Sequence, residues 1–183
     1  MKKKSCILAT IIFVLSITCR VAEARRFSQE GAVTVKNVTP FSYCCLVHKG
    51  SFSEIQTVIG RLMEAMQAQN VFPGGPMLGI YYSAPEQVKP EEMEWEIGFP
   101  ITDQAMVQAP LEKKQWTYQT VASVLHVGPY DKTSETIGRA MEWLTANGYV
   151  PEGPVMEMYQ DMNPSQLKPE QLKAEIWIPC RKK

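Results

Sequence analysis

Acidic and aromatic side chains stand two apart in two segments of the 183-residue chain, Glu157-Met158-Tyr159 and Glu175-Ile176-Trp177, and Tyr81 and Glu96 precede them. Residues two apart on a strand share a face, so each pair sets a carboxylate beside a ring. Such a site holds an organic cation. Each ring adds about 0.5–2 kcal/mol of cation–π attraction, and a buried carboxylate is unfavourable until its partner arrives. The candidate ligand-binding residues are therefore Glu157, Tyr159, Glu175, Trp177, Tyr81 and Glu96. The bland alternative is a row of solvated carboxylates on a one-sided sheet. A hydrolase is a further alternative: Glu157 acts as general base on water if its surroundings raise its pKa, and Tyr81 or Tyr159 donates to a leaving group. No Ser-His-Asp or Cys-His arrangement is legible.

His48 and His126 are the only histidines. They are either paired haem ligands or structural residues at two strand-to-helix turns. Two histidines and no CxxC leave little for a metal site, and no metal or cofactor is expected. The 19 basic and 19 acidic residues cancel, which argues against non-specific nucleic-acid binding. At 45% hydrophobic and 21% charged, the composition is that of a globular protein rather than a disordered one. Five cysteines are too few and irregular for a disulfide scaffold.

The elements that position these residues come from an internal repeat, which is the feature to seek first. Residues 48–81 align with 126–159 at an offset of 78. His48, Gly50, Ile59-Gly60-Arg61, Met63-Glu64, Pro73, Gly75-Pro76 and Tyr81 meet identical residues. The offset then becomes 79, pairing Lys89-Pro90-Glu91 with Lys168-Pro169-Glu170 and Glu96-Ile97 with Glu175-Ile176. Each unit reads strand–helix–strand–strand: Phe41–Val47 and Thr117–Leu125, helices from Ser53 and Asp131, then Met77–Tyr82 with Trp95–Phe99 and Val155–Tyr159 with Ala174–Ile178. Ser53-Glu54-Ile55-Gln56 has the capping-box pattern. Ile55, Val58, Ile59, Leu62, Met63 and Met66 form one helical face, as do Ile137, Ala140, Met141 and Leu144. Asn70 and Gly148 close the helices in the left-handed conformation.

Neither half alone buries much core. The expected fold is α+β: one mainly antiparallel sheet, two main helices on one face and a ligand groove on the other. Half one runs over about 31–112 and half two over about 113–180. With Ala174, Ile176, Ile178, Met156 and Met158 taken as helix-facing, alternation places Glu157, Tyr159, Glu175 and Trp177 on the open face. The same parity exposes Met77, Gly79, Tyr81, Glu96 and Gly98.

The ordered motifs of half two resemble one known family. They are His126-Val127-Gly128-Pro129-Tyr130, Trp143-Leu144, Gly148-Tyr149, Gly153-Pro154-Val155-Met156-Glu157-Met158-Tyr159 and Glu175-Ile176-Trp177-Ile178-Pro179. Together they are similar to the GyrI-like small-molecule-binding domain, the effector-binding domain of AraC- and MerR-type regulators, over about residues 31–180. The resemblance implies a SOUL-like tandem fold with a cleft between halves and amphipathic, often cationic, aromatic ligands. The family's cleft glutamate falls on Glu157, and its later acidic and aromatic pair on Glu175 and Trp177. Some members are hydrolases.

The first 24 residues have a secretory layout: Lys2, Lys3 and Lys4, an apolar run from Cys6 to about Thr18, then Ala22-Glu23-Ala24. A membrane anchor needs a run of about 20 residues, so a signal peptide is the first expectation and a retained anchor the second. Cleavage removes four basic residues and one acidic, leaving 15 against 18. It leaves Cys44, Cys45 and Cys180: either one of the adjacent pair meets Cys180 in a disulfide, or all three stay buried or unpaired thiols. About seven residues, Arg25 to Gly31, then precede the first unit and leave no room for a helix-turn-helix. The expectation is a stand-alone module outside the cytoplasm, partnered by a hydrophobic or cationic small molecule and no nucleic acid, with a membrane only if the leader is retained. The intact mass of the protein from its native host is expected to correspond to a chain beginning at Arg25. A mass that includes residues 1–24 would contradict cleavage.

Overall fold

A computed structural model describes residues 31–83 and 88–183. The leader at 1–24 and the centre of the Pro85–Pro90 loop lie outside the described residues. The strands are β1 (Thr34–Asn37), β2 (Phe41–Lys49), β3 (Met77–Tyr81), β4 (Glu94–Pro100), β5 (Glu112–Trp116), β6 (Thr120–Val127), β7 (Tyr149–Pro151), β8 (Val155–Tyr159) and β9 (Lys173–Lys182). Helix α1 spans Ile55–Ala68 and α2 spans Thr133–Ala146. The sequence pattern does not mark β1, β5 or β7.

Both helices begin through a short 3-10 turn, Phe52–Glu54 and Tyr130–Lys132. The cap is therefore Ser51, whose hydroxyl accepts from the Ser53 N–H at 3.2 Å, and the expected box at Ser53 does not form. The 3-10 turn moves the free backbone donors one step toward the N-terminus of the chain. Val58, Leu62 and Met66 bury one face of α1, and Ala140 and Leu144 one face of α2. Met63, expected on that face, is exposed. Asn70 (φ 54°) and Gly148 (φ 77°) close the helices in the left-handed region, as expected.

The strands form one antiparallel sheet in the order β1-β6-β9-β8-β3-β4-β2-β5, with β7 added against β9. This order is its own image under the repeat. β3 and β8 are equivalent and pair at the centre, and β4/β9, β2/β6 and β5/β1 follow outward. The central register opposes Gly79 to Glu157, and these two residues are also 78 apart. A pseudo-twofold axis therefore passes between them. The outer strands are exchanged, since β1 of half one pairs with β6 and β5 of half two pairs with β2.

α1 packs on β2 and β4, and α2 on β6 and β7. Beneath them lie two cores, one of Cys44, Leu46, Leu62, Trp95 and Ile97, the other of Ala122, Val124, Leu144, Ile176 and Ile178. A third core, built on Tyr43, Leu78, Ile80, Trp116, Met156 and Met158, covers the opposite face. That third core corrects the parity expected for β8. Met156 and Met158 are core, but they face away from the helices. Paired residues of an antiparallel ladder share a face. Glu157 opposes Ile176 and Tyr159 opposes Ala174, while Tyr81 opposes Trp95 and Gly79 opposes Ile97. Glu157, Tyr159, Gly79 and Tyr81 thus lie on the helix face, between α1 and α2. Glu96, Glu175 and Trp177 lie on the other face. Both faces of β8 are buried, so alternation alone carried no sign of which faces the helices.

Cys44, Cys45 and Cys180 are buried free thiols. Cys44 and Cys45 point to opposite faces, in separate cores. Four inter-strand steps separate β2 from β9, about 19 Å, and a disulfide needs Cα atoms within roughly 7 Å. Neither cysteine of β2 reaches Cys180. Alkylation of the folded protein is expected to spare all three and unfolding to expose them; a disulfide-linked peptide containing Cys180 would contradict this topology. Leu62→Ala, at a fully buried α1 position, is expected to lower stability by about 2–5 kcal/mol in denaturant titration.

Candidate functional site

Glu157 sits at the middle of β8, 4% exposed. The Tyr159 hydroxyl donates to its Oε2 at 3.1 Å. The Tyr81 and Tyr159 hydroxyls, 2.5 Å apart, are repeat equivalents that meet across the pseudo-twofold axis. With Tyr159 donating to Glu157, Tyr81 is the donor to Tyr159. Tyr81 lies across Gly79, where a Cβ would come within 2.9 Å of its ring carbons. Glycine is thus required there for the ring to lie beside the carboxylate. Phe52 meets Tyr81 edge-on at 5.3 Å, and its equivalent Tyr130 meets Tyr159 edge-on at 4.9 Å. Two related ring pairs therefore converge at the Tyr81 and Tyr159 hydroxyls, the second of which touches the carboxyl group.

Among the described residues no lysine, arginine or histidine pairs with Glu157. Burial pushes its pKa from 4.5 up to about 7, against the Tyr159 hydrogen bond and the nearby Thr133 hydroxyl, whose proton goes to the Tyr130 carbonyl at 3.1 Å. Burial and the neighbouring Glu157 likewise hold the Tyr81 hydroxyl well above the usual phenol range.

The other expected residues form two related clusters on the opposite face, each with its own lysine. Glu96, 1% exposed, pairs with Lys114 and accepts from Tyr82 at 2.7 Å, Tyr43 at 3.0 Å and Cys45 Sγ at 3.4 Å. Glu175 pairs with Lys36 at 2.5 Å and accepts from Ser123 at 2.7 Å and Trp177 Nε1 at 2.9 Å. The Lys36 ammonium also lies 4.7 Å from the centre of the Trp177 ring. Burial works against ionisation of Glu175, but hydrogen bonds from Lys36, Trp177 and Ser123 hold its carboxyl below the usual range. Both lysines come from the exchanged strands, Lys36 from β1 and Lys114 from β5, and they too are 78 apart. The six expected residues therefore divide. Glu157, Tyr159 and Tyr81 make one site, while Glu96, Glu175 and Trp177 already hold internal cations or serve those that do.

His126 is committed on both ring nitrogens. Nε2–H donates to the Pro129 carbonyl at 3.1 Å, and Nδ1 takes the Thr136 hydroxyl at 2.9 Å, which itself accepts from Arg139. These bonds pin the β6–α2 turn, where a pocket of about 180 Å³ is lined by none of the four cage rings. His48 packs 4.7 Å from Trp95, and its Nε2 lies 3.0 Å from Glu54 without hydrogen-bond alignment. An iron-bound role for His126 would have to break its present bonds. Among the described residues no three His, Cys, Asp or Glu side chains gather to hold a metal.

Phe52, Tyr130 and Thr133 belong to the site but were not among the expected residues. The signal for the first two was present, since both are aromatic and 78 apart. Thr133 carried none, because its equivalent is Ile55.

Comparisons agree with this architecture. The chain matches the family model of the GyrI-like small molecule binding domain over residues 32–181. A search of curated proteins finds no match. Among solved structures, the EcmrR C-terminal domain is similar at TM-score 0.72 and 19% identity, covering 83% of this chain and 98% of that one. The hydrolase encoded by lin2189 in Listeria innocua is similar at 0.60 and 12%, covering 88% and 98%. SAV2435, solved bound to tetraphenylphosphonium, is similar at 0.55 and 15%, covering 82% and 94%. At these identities the likeness establishes the fold. The family model spans both halves of the repeat, and on that ground the chain belongs to the GyrI-like small-molecule-binding domain family.

Proposed function

We propose that this small-molecule-binding domain takes a hydrophobic organic cation between α1 and α2, with Glu157 as counter-ion and Phe52, Tyr81, Tyr130 and Tyr159 as its ring cage. One observation carries the reading. The three carboxylates singled out in the sequence are all wholly or partly buried, yet Glu96 and Glu175 have lysines and Glu157 has only hydroxyl partners. A permanently charged ligand supplies the missing cation and gains cation–π attraction from the rings. The complex of SAV2435 with tetraphenylphosphonium supports this ligand class for the fold. The secretory layout of residues 1–24 supports action outside the cytoplasm.

A second reading, hydrolysis of a reactive ligand, is favoured by the raised proton affinity of Glu157, which suits a general base near neutral pH. It is separated from simple binding by incubating the protein with an aryl ester of a cationic carboxylic acid, whose hydrolysis by water releases the acid and a phenol. Turnover that disappears in Glu157→Gln supports it, and intact ester bound at saturation opposes it.

The pH dependence has a definite sign. The folded chain holds the Glu157 proton up to about 7, the unfolded chain only to 4.5. This contribution to stability is complete below the unfolded value and is lost as pH rises through the folded one. Above it, the buried charge costs about 3 kcal/mol. Glu157→Gln is therefore expected to stabilise the protein more at pH 8 than at pH 4, in paired denaturant titrations; an equal effect at both would contradict the assignment.

Cation binding runs the other way, because the ionised carboxylate is the binding form. The affinity for tetraphenylphosphonium is expected to rise roughly a hundredfold from pH 5 to pH 8 and then level. Glu157→Gln should abolish both the affinity and its slope. Equal binding of a neutral dye of the same shape would sink the electrostatic part.

A further inference from the structure

The repeat is broken in one direction around the cage. Half one contributes Phe52, Ile55 and Gly79, where half two contributes Tyr130, Thr133 and Glu157. Phe52 is backed by Trp95 at 6.0 Å, whose equivalent is Ala174. The opposite end is polar. The Tyr130 hydroxyl donates to Asp161 Oδ2 at 3.0 Å, and the Lys173 N–H donates to the same oxygen at 2.6 Å. Among the described residues, nothing engages Asp161 Oδ1, and Asp161 is in no ion pair. The repeat offset passes from 78 to 79 just beyond Tyr159, so Asp161 falls against Tyr82 or Ser83. Neither is acidic. The Tyr130 ring packs on Tyr159, which donates to Glu157, while its hydroxyl donates to Asp161, so this side chain stands between the two carboxyl groups.

We infer that the cleft takes an amphipathic cation in one orientation, with an apolar arm on Phe52, the positive centre over Glu157, and a hydrogen-bond-donating arm at Tyr130 directed to Asp161. This rests on the cation-binding reading above and makes Asp161 a specificity-determining residue. An arm that lacks a donor leaves the Asp161 oxygen to water and gains nothing there. A polar arm turned toward Phe52 and Trp95 loses its water without a replacement partner.

Three dimethylammonium ions test it: one with two benzyl arms, one with a benzyl and a 4-hydroxybenzyl arm, and one with two 4-hydroxybenzyl arms. By titration calorimetry at pH 8 the mixed-arm ion is expected to bind about tenfold tighter than either symmetric one. Asp161→Asn keeps an acceptor for the Lys173 N–H, so the fold has its bond. It is expected to erase the mixed-arm advantage while leaving the affinity for the dibenzyl ion within about twofold. Tyr130→Phe is the second variant and should reduce the same ratio. A mixed-arm advantage that survives in both variants overturns the assignment. Three equal affinities that all fall in Glu157→Gln overturn the orientation while upholding the cation site. Failure of all three ions to bind the parent protein overturns both.

Discussion

Antiparallel pairing of β3 with β8 opposes Gly79 to Glu157, and the site depends on that register. Because the two residues are also repeat equivalents, a perfectly symmetric duplication would place two carboxylates about 5 Å apart. Two charges that close cannot both stay ionised without a cation between them. Glycine at position 79 leaves one charge, and the space it leaves receives the Tyr81 ring. A slip of one residue in β8 would turn Glu157 and Tyr159 into the third core and bring Met156 and Met158 up between the helices. The burial of both methionines opposes that slip.

The exchange of β1 and β5 has a second electrostatic consequence. Each sets one of its lysines, Lys36 or Lys114, against a buried or partly buried glutamate of the other half. Ion pairs of this kind are sensitive to the loss of either partner, because the remaining charge stays desolvated. Lys36–Glu175 and Lys114–Glu96 therefore bind the two halves together and neutralise two of the three wholly or partly buried carboxylates on the central strands. Glu157 lies on the helix face, out of line with either exchanged strand. Its lack of an internal cation follows from topology as well as from composition.

Much of the architecture was legible because a duplicated unit repeats its punctuation. Pro73 and Pro151, Asn70 and Gly148, and the paired apolar helix faces report the same boundaries twice. The helix starts were less legible. Ser51 and Ser53 are both plausible caps, and only the intervening 3-10 turn distinguishes them. The aromatic pair Phe52 and Tyr130 and the lysine pair Lys36 and Lys114 stood at the repeat offset but outside the identical motifs, so similarity of role was hidden by difference of residue or distance from the aligned core. Asp161 had no acidic counterpart.

The sequence by itself determined the duplication, the α+β class, the helices and the presence of carboxylates beside rings, because each is written in local spacing. The tertiary structure alone decided which face each carboxylate occupies and whether a lysine reaches it. The physical reason lies in β8, where both faces are buried. Hydrophobic alternation distinguishes in from out when one face meets water, and a strand buried between two cores gives it nothing to distinguish. Cross-strand register to β9 and β3 then fixed the face, and the exchange of β1 and β5 fixed the charges. Both depend on residues far apart in the chain.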